Sequence, residues 1–397
     1  MDTGNTAWML MATAMVLLMT PGLALFYGGM VRVKHVLNML MMNFFTIPVV
    51  TVIWVVVGYS LAFGDSVGGF IGDLSKVGLA GVGDEELLFM AFQMMFAIIT
   101  PALISGAVAD RMKFSAWVAF SALWALIVYP IAAHWAFSAD GWLFAWGARD
   151  FAGGLVIHIN AGIAALALVR VLGPRRGFGT DSMRPHSLPL TLIGTGILWF
   201  GWFGFNAGSA LAADGNAVRA LVTTQIGASL GALGWVVAEW RRTGKPTLLG
   251  AATGAVAGLV AITPAAGFVS PASALVIGLL AGFVCFKAIS LKERFGYDDS
   301  LDVVGIHMVG GILGSLLTGV FASAELNPAG FDGVIYGGFD FFLKQLVGVA
   351  VILVFSYVVS FGLAKLVDSW IGLRVTEREE LEGLDITQHE ERAYSNE

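Results

Sequence analysis

Charge is scarce in this chain. Asp, Glu, Lys and Arg make up 13% of its 397 residues, where a soluble domain carries about 25%. With 57% hydrophobic residues and a mean hydropathy of +0.81, the sequence lacks the polar surface to cover itself in water. A lipid bilayer supplies the missing apolar solvent. Cysteine is almost absent. The one thiol, Cys285, excludes an intrachain disulfide and a cysteine-based metal cluster. A basic patch of the kind that holds nucleic acid is also lacking, and the net charge of −6 falls mostly in the tail after Leu373. Glycine, by contrast, is plentiful at 51 residues, which suits close helix–helix approach in a membrane.

A helix needs roughly 20 apolar residues to cross the hydrocarbon core. Runs of about that length cover residues 6–31, 36–63, 87–108, 115–137, 150–172, 188–212, 217–240, 247–262, 271–291, 301–322 and 340–371. The expected fold is therefore an all-α polytopic membrane protein with eleven transmembrane helices, the eighth short. Pro21, Pro48, Pro101 and Pro130 fall inside these runs, where neighbouring helices accommodate them. The first run has only Asp2 ahead of it, lacks a basic leader and is too long for a signal-peptide core, so a retained helix is expected. The basic residues then fix an orientation. Arg32, Lys34, Arg111, Lys113, the 170–184 arginines, the 241–245 and 287–294 groups, Lys365 and the tail put 18 of 22 on one side. Lys76, Arg149, Arg219 and Lys344 lie opposite. The positive-inside rule then predicts a multi-pass protein of the cell membrane, N-terminus outside and tail cytoplasmic.

The fifth and tenth runs resemble one another. Asp150-Phe-Ala-Gly-Gly-Leu-Val-Ile-His158 and Asp299-Ser-Leu-Asp-Val-Val-Gly-Ile-His307 each place an aspartate eight residues before a histidine. Small residues follow, Ala161 and Gly162 in one, Gly310 and Gly311 in the other. Five spans per unit would invert the second unit, as in many transporters whose pathway lies at the repeat interface. The expected organisation is a membrane domain over 1–372, with repeats 1–172 and 188–322 and a last helix 340–371, followed by a tail over 373–397.

His158 and His307 are the histidines well inside predicted spans; His35 and His186 fall in loops, His389 in the tail and His134 near a helix end. Ionisable groups at membrane depth face cavities or one another, and imidazole both donates and accepts in a proton relay. The alternative is a pair of packing histidines, each bonded to a nearby carbonyl. A two-histidine metal site lacks a third ligand with supporting spacing. Asp150 and Asp299 at helix starts read as N-caps, and Asp150 also lies where a cation would be collected. The sixth span carries Trp199, Phe200, Trp202, Phe203 and Phe205 among glycines, and the third carries Phe92 and Phe96. Such rings pack or anchor, line a narrow apolar constriction, or attract a cation through their faces.

At these residues the chain resembles the ammonium transporter (Amt/MEP) family. The resemblance rests on Asp150-Phe-Ala-Gly-Gly with His158-Ile-Asn-Ala-Gly, on Gly201-Trp-Phe-Gly-Phe-Asn-Ala-Gly-Ser209 and on Asp302-Val-Val-Gly-Ile-His307. Pro21-Gly-Leu-Ala-Leu-Phe-Tyr-Gly-Gly29, Gly106-Ala-Val-Ala-Asp-Arg111 and Gly244-Lys-Pro-Thr-Leu-Leu-Gly250 extend it over nearly the whole chain. It implies a non-enzymatic homotrimeric transporter of ammonium with one pathway per subunit and no cofactor. Phe96 and Phe205 would form a gate. Asp150, Phe96, Phe137, Trp202 and Ser209 would gather ammonium outside it, and His158 and His307 would line the pore beyond. The family is described as deprotonating NH4+ and passing NH3, often with the proton on a separate route. One position departs from the family pattern. In His134-Trp-Ala-Phe137 a phenylalanine stands where the family commonly has tryptophan, so either Phe137 or the nearby Trp142 is expected to supply the ring.

The tail resembles the ordered cytoplasmic tail of the family, which in bacterial members binds a PII-type signalling protein. Composition alone would instead suggest a loose acidic extension. Two other functions stand beside transport: an ammonium sensor on the same fold, and an intramembrane metalloenzyme. The 24 residues after Leu373 leave no room for an output domain, which favours transport.

Overall fold

The computed structural model describes residues 2–395. Among them, ten helices are long and apolar enough to cross a membrane, and an eleventh apolar helix is shorter. In chain order they are α1 (Thr3–Met30), α2 (Val33–Phe63), α3 (Asp84–Val108), α4 (Phe114–Phe137), α5 (Gly154–Leu172) and α6 (Leu188–Gly208). There follow α7 (Gly215–Thr243), the short α8 (Leu248–Ile262), α9 (Pro271–Ala288), α10 (Val304–Phe321) and α11 (Phe339–Ile371). Two short helices, α12 (Glu377–Glu382) and α13 (Leu384–His389), lie in the tail.

Local chemistry fixes several helix starts. The side chains of Asp2, Ser187, Asp214, Thr247 and Ser270 each accept a backbone N–H from the first turn that follows, satisfying a donor that has no partner within the helix. The fifth and tenth spans begin later than the apolar runs suggest, at Gly154 and Val304. Residues 150–153 and 299–302 are instead the loops from which Asp150 and Asp299 cap these helices. Each helix opens on a π-helical segment, Gly154–Ile159 or Val304–Met308, and each segment contains a histidine.

Small residues let the helices approach. α1 packs along α6, where a Cβ added to Gly194 would meet the Phe26 backbone N at 2.2 Å. α5 crosses α10 beside the histidines. A Cβ on Gly162 would lie 2.3 Å from the Met308 N, and one on Gly311 would lie 3.1 Å from the His158 Cβ.

The tail folds back on the end of the bundle from which it emerges, called here the tail face. Val375 N donates to Arg111 O at 3.0 Å, and Leu384 N donates to His35 Nδ1 at 3.2 Å. The Asp385 carboxylate accepts Asn38 N at 2.9 Å, and Arg374 pairs with Glu380 at 2.7 Å. Leu384 and Asp385 are buried. Beneath them Arg175 grips Asp298 with two side-chain bonds of 2.9 and 2.8 Å. Burial opposes ionisation of Asp298, but Arg175 and Arg111 outweigh it and hold its carboxyl below the usual range. Specific polar contacts of this kind hold an acidic segment whose composition alone suggests a loose one.

Candidate functional site

Two cavities lie in line, separated by two rings. The larger, ≈ 310 Å³, is near the far face, opposite the tail, and its wall includes Gln93, Phe96, Phe137, Arg149, Asp150 and Ser209. The smaller, ≈ 10 Å³, is lined by His158 and His307 and otherwise by apolar side chains, among them Phe26, Leu198, Trp202 and Phe205. A single water needs about 10–15 Å³, so this chamber fits one molecule of that size. Phe96 belongs to the first wall and Phe205 to the second. Their centroids are 4.3 Å apart at 36°, and both side chains are buried.

Asp150 is held by the backbone beneath it. Its Oδ1 accepts Gly153 N at 2.8 Å and Gly154 N at 2.6 Å; its Oδ2 accepts Leu155 N at 2.7 Å and Val156 N at 3.0 Å. Gly153 turns its N–H inward at φ 132°, a conformation that favours glycine, and a Cβ there would meet Ile157 at 1.9 Å. The carboxylate thus caps the π-helical segment that carries His158. Asp299 makes the corresponding contact before His307, accepting Val304 N at 2.7 Å.

The two imidazoles touch. His158 Nδ1 and His307 Nδ1 are 3.3 Å apart, so one ring donates and the other accepts, and the ring planes lie within 22°. His134 shows what a packing histidine looks like here. It is buried, with Nδ1 on Ala62 O at 2.9 Å and Nε2 on Ser66 Oγ at 2.8 Å. The buried Nε2 of His158 has no hydrogen-bond partner among the described residues, and both His158 and His307 line the chamber. Two rings each tied to a carbonyl, the bland expectation, do not describe this pair.

Most site residues expected from the sequence come together in these two walls. Phe96, Phe137, Asp150 and Ser209 line the larger cavity, with Ser209 Oγ donating to Phe205 O at 2.8 Å. Trp202 does not. It lies on the chamber side, stacked on His158 at 5.5 Å, and donates its Nε1–H to Thr263 Oγ1 at 2.9 Å. Trp142 is absent from the cavity wall as well; it opens the short helix Trp142–Trp146 and packs on Trp135 and Phe70. Phe144 and Arg149 line the cavity without having been singled out.

Over residues 7–394 the chain matches the Ammonium Transporter Family. It belongs to that family. A Bacillus subtilis protein named ammonium transporter is 49% identical over 408 residues, covering 100% of both chains. The ammonium transporter Amt1 of Archaeoglobus fulgidus is 48% identical, again over 100% of both. Among solved structures, Saccharomyces cerevisiae Mep2 superposes with a TM-score of 0.89 at 38% identity, over 95% of this chain and 91% of that one. A protein described as a sensor Amt protein gives a TM-score of 0.92 at 29% identity, over 97% and 98%.

Proposed function

We propose that this protein takes up ammonium across the cytoplasmic membrane, with the far face outside and the tail in the cytoplasm. NH4+ is gathered in the cavity beside Asp150, Phe137, Phe96 and Ser209, passes the Phe96–Phe205 gate and gives up its proton. NH3 continues through the chamber, while the paired imidazoles of His158 and His307 carry the proton, so that transport moves charge. Taking an unpaired ion into an apolar medium costs on the order of tens of kcal/mol by Born solvation, and a neutral molecule escapes that cost. K+ has no proton to shed and is excluded. The observation that carries this reading is the contact of two imidazoles at 3.3 Å inside an apolar chamber of ≈ 10 Å³. The repeats proposed over 1–172 and 188–322 agree with it, since α5 and α10 present matching capped π-helical segments at the crossing. We place the protein as a homotrimer whose tail receives a PII-type partner. The test is electrical recording from purified protein on a supported membrane: an ammonium-evoked, charge-carrying signal is expected. Ammonium binding with neither current nor methylammonium accumulation would instead mark a sensor.

A further inference from the structure

Arg149 stands in the wall of the larger cavity, next to Asp150 in sequence. Its guanidinium carbon lies 4.1 Å from the centroid of Phe144, another wall residue, and 4.8 Å from that of Phe331. Nε donates to Ala329 O at 2.8 Å, and Nη1 donates to Phe144 O at 2.8 Å and Ala148 O at 2.9 Å. None of the ion pairs among the described residues includes Arg149, and the Asp150 carboxylate is turned to four amides instead. Among the described residues, the half-buried guanidinium is therefore met by carbonyl dipoles and ring faces and by no carboxylate.

A cation that enters the cavity meets two consequences of this arrangement. The fixed positive charge repels it, and the Phe144 face that would attract it is already covered by a guanidinium. We propose that Arg149 is a tethered competitor of the transported cation, an affinity-setting residue that covers the Phe144 face and opposes cation occupancy of the cavity. The inference rests on the transport reading above. Phe137 is one of the rings left to the substrate: with Phe89, Phe96, Phe151 and Phe268 it lines the same cavity, and among the described residues no side-chain cation stacks on any of these five. The competing account makes Arg149 a staple that joins the Phe144 segment to the loop carrying Ala329 and Phe331.

The test measures the half-saturating ammonium concentration for the full-length protein and its variants in supported membranes, at low and high ionic strength. Arg149→Gln should lower it by about three-fold, the factor a like charge roughly 6 Å away produces at the dielectric constant of water. Arg149→Lys keeps the charge and should stay close to the parent. The gap between parent and Arg149→Gln should shrink as the Debye length falls from about 30 Å at 0.01 M salt to about 3 Å at 1 M. Phe144→Leu should raise the half-saturating concentration more in the Arg149→Gln background than in the parent, because only there is the ring face uncovered. An Arg149→Gln value equal to or above the parent's overturns the proposal. So does an Arg149→Lys protein that behaves like Arg149→Gln at every salt concentration, which is the signature of a staple. A parent protein that gives no ammonium-evoked signal refutes transport itself, and this inference with it.

Discussion

The two cavities differ in size and in what they offer a cation. The far-face cavity has ≈ 310 Å³, with a carboxylate, amides, a hydroxyl and a guanidinium in its wall. The chamber behind the rings has ≈ 10 Å³ and only two imidazoles among apolar neighbours. The first has room for a hydrated ion. In the second an ion would lose nearly all its water with few dipoles in return. In the proposed mechanism the rings at 4.3 Å therefore divide a place where charge is sorted from a place where charge is shed. On that proposal, selectivity arises from putting the two in series.

The sharpest way to break this division is to remove the chamber's two imidazoles. Replacing His158 and His307 together by leucine should abolish the ammonium-evoked current and weaken discrimination against K+, because the proton then has no carrier past the rings. An undiminished current in the double variant would sink the relay.

Asp150 ties the two places together, since it lies in the cavity wall and caps the segment bearing His158. Both of its oxygens are engaged, two amides on each. Hydrogen bonds to a charged group contribute about 1.5–3 kcal/mol each. Asn can satisfy one amide pair, while its own NH2 would face the other pair; Ala satisfies neither. Asp150→Ala should thus lose more thermal stability and more transport than Asp150→Asn, which should itself be impaired. Equal and complete loss of transport in both variants, with both well folded, would show that the charge itself is required.

The membrane spans were legible because length and hydropathy decide them, and the two histidines because an ionisable residue within an apolar run is conspicuous. The placement of Trp202 was misjudged although the signal was present. α6 runs from the tail face to the far face, so Trp202 lies three residues, about 4.5 Å, deeper than Phe205. Phe205 itself is already at the boundary. Trp142 looked able to replace a missing ring because sequence proximity to Phe137 says nothing of direction; the short helix turns it toward Trp135 and Phe70. The Arg149 sandwich was out of reach, since it joins Phe144 to Phe331 across some 190 residues and takes a carbonyl from the equally distant Ala329. The tail's order was legible in the family resemblance and not in its acidic composition, because its docking depends on specific polar contacts such as Asp385 on Asn38 N.

The tail offers a milder perturbation that leaves both cavities intact. Its contacts include the 110–114 and 173–176 segments, the start of α2 and His186, and no tail residue lines either cavity. Deleting residues after Leu373 should leave a folded trimer by size-exclusion chromatography and change the maximal uptake rate more than the half-saturating concentration. PII binding should fall. A truncated protein that transports normally and binds PII as before would make the tail a passive extension.

The smallest expected effect probes the far-face cavity alone. A cation over an exposed aromatic ring gains about 0.5–1 kcal/mol, and Trp is the best of the three rings. The Trp–Phe difference is only part of that gain. Phe137→Trp should therefore lower the half-saturating ammonium concentration by roughly two-fold, given that 1.4 kcal/mol is a factor of ten. Phe137→Ala should raise it. The maximal rate should change less in either case, because the ring pair and the imidazoles lie beyond the substitution. Trp142→Ala should leave the half-saturating concentration nearly unchanged, since that indole packs behind the wall and does not line the cavity. A large effect at Trp142 with silence at Phe137 would assign cation capture to the other ring. Silence at both positions would leave capture to Asp150 and Ser209 and remove the aromatic face from the account of how the cavity holds its ion.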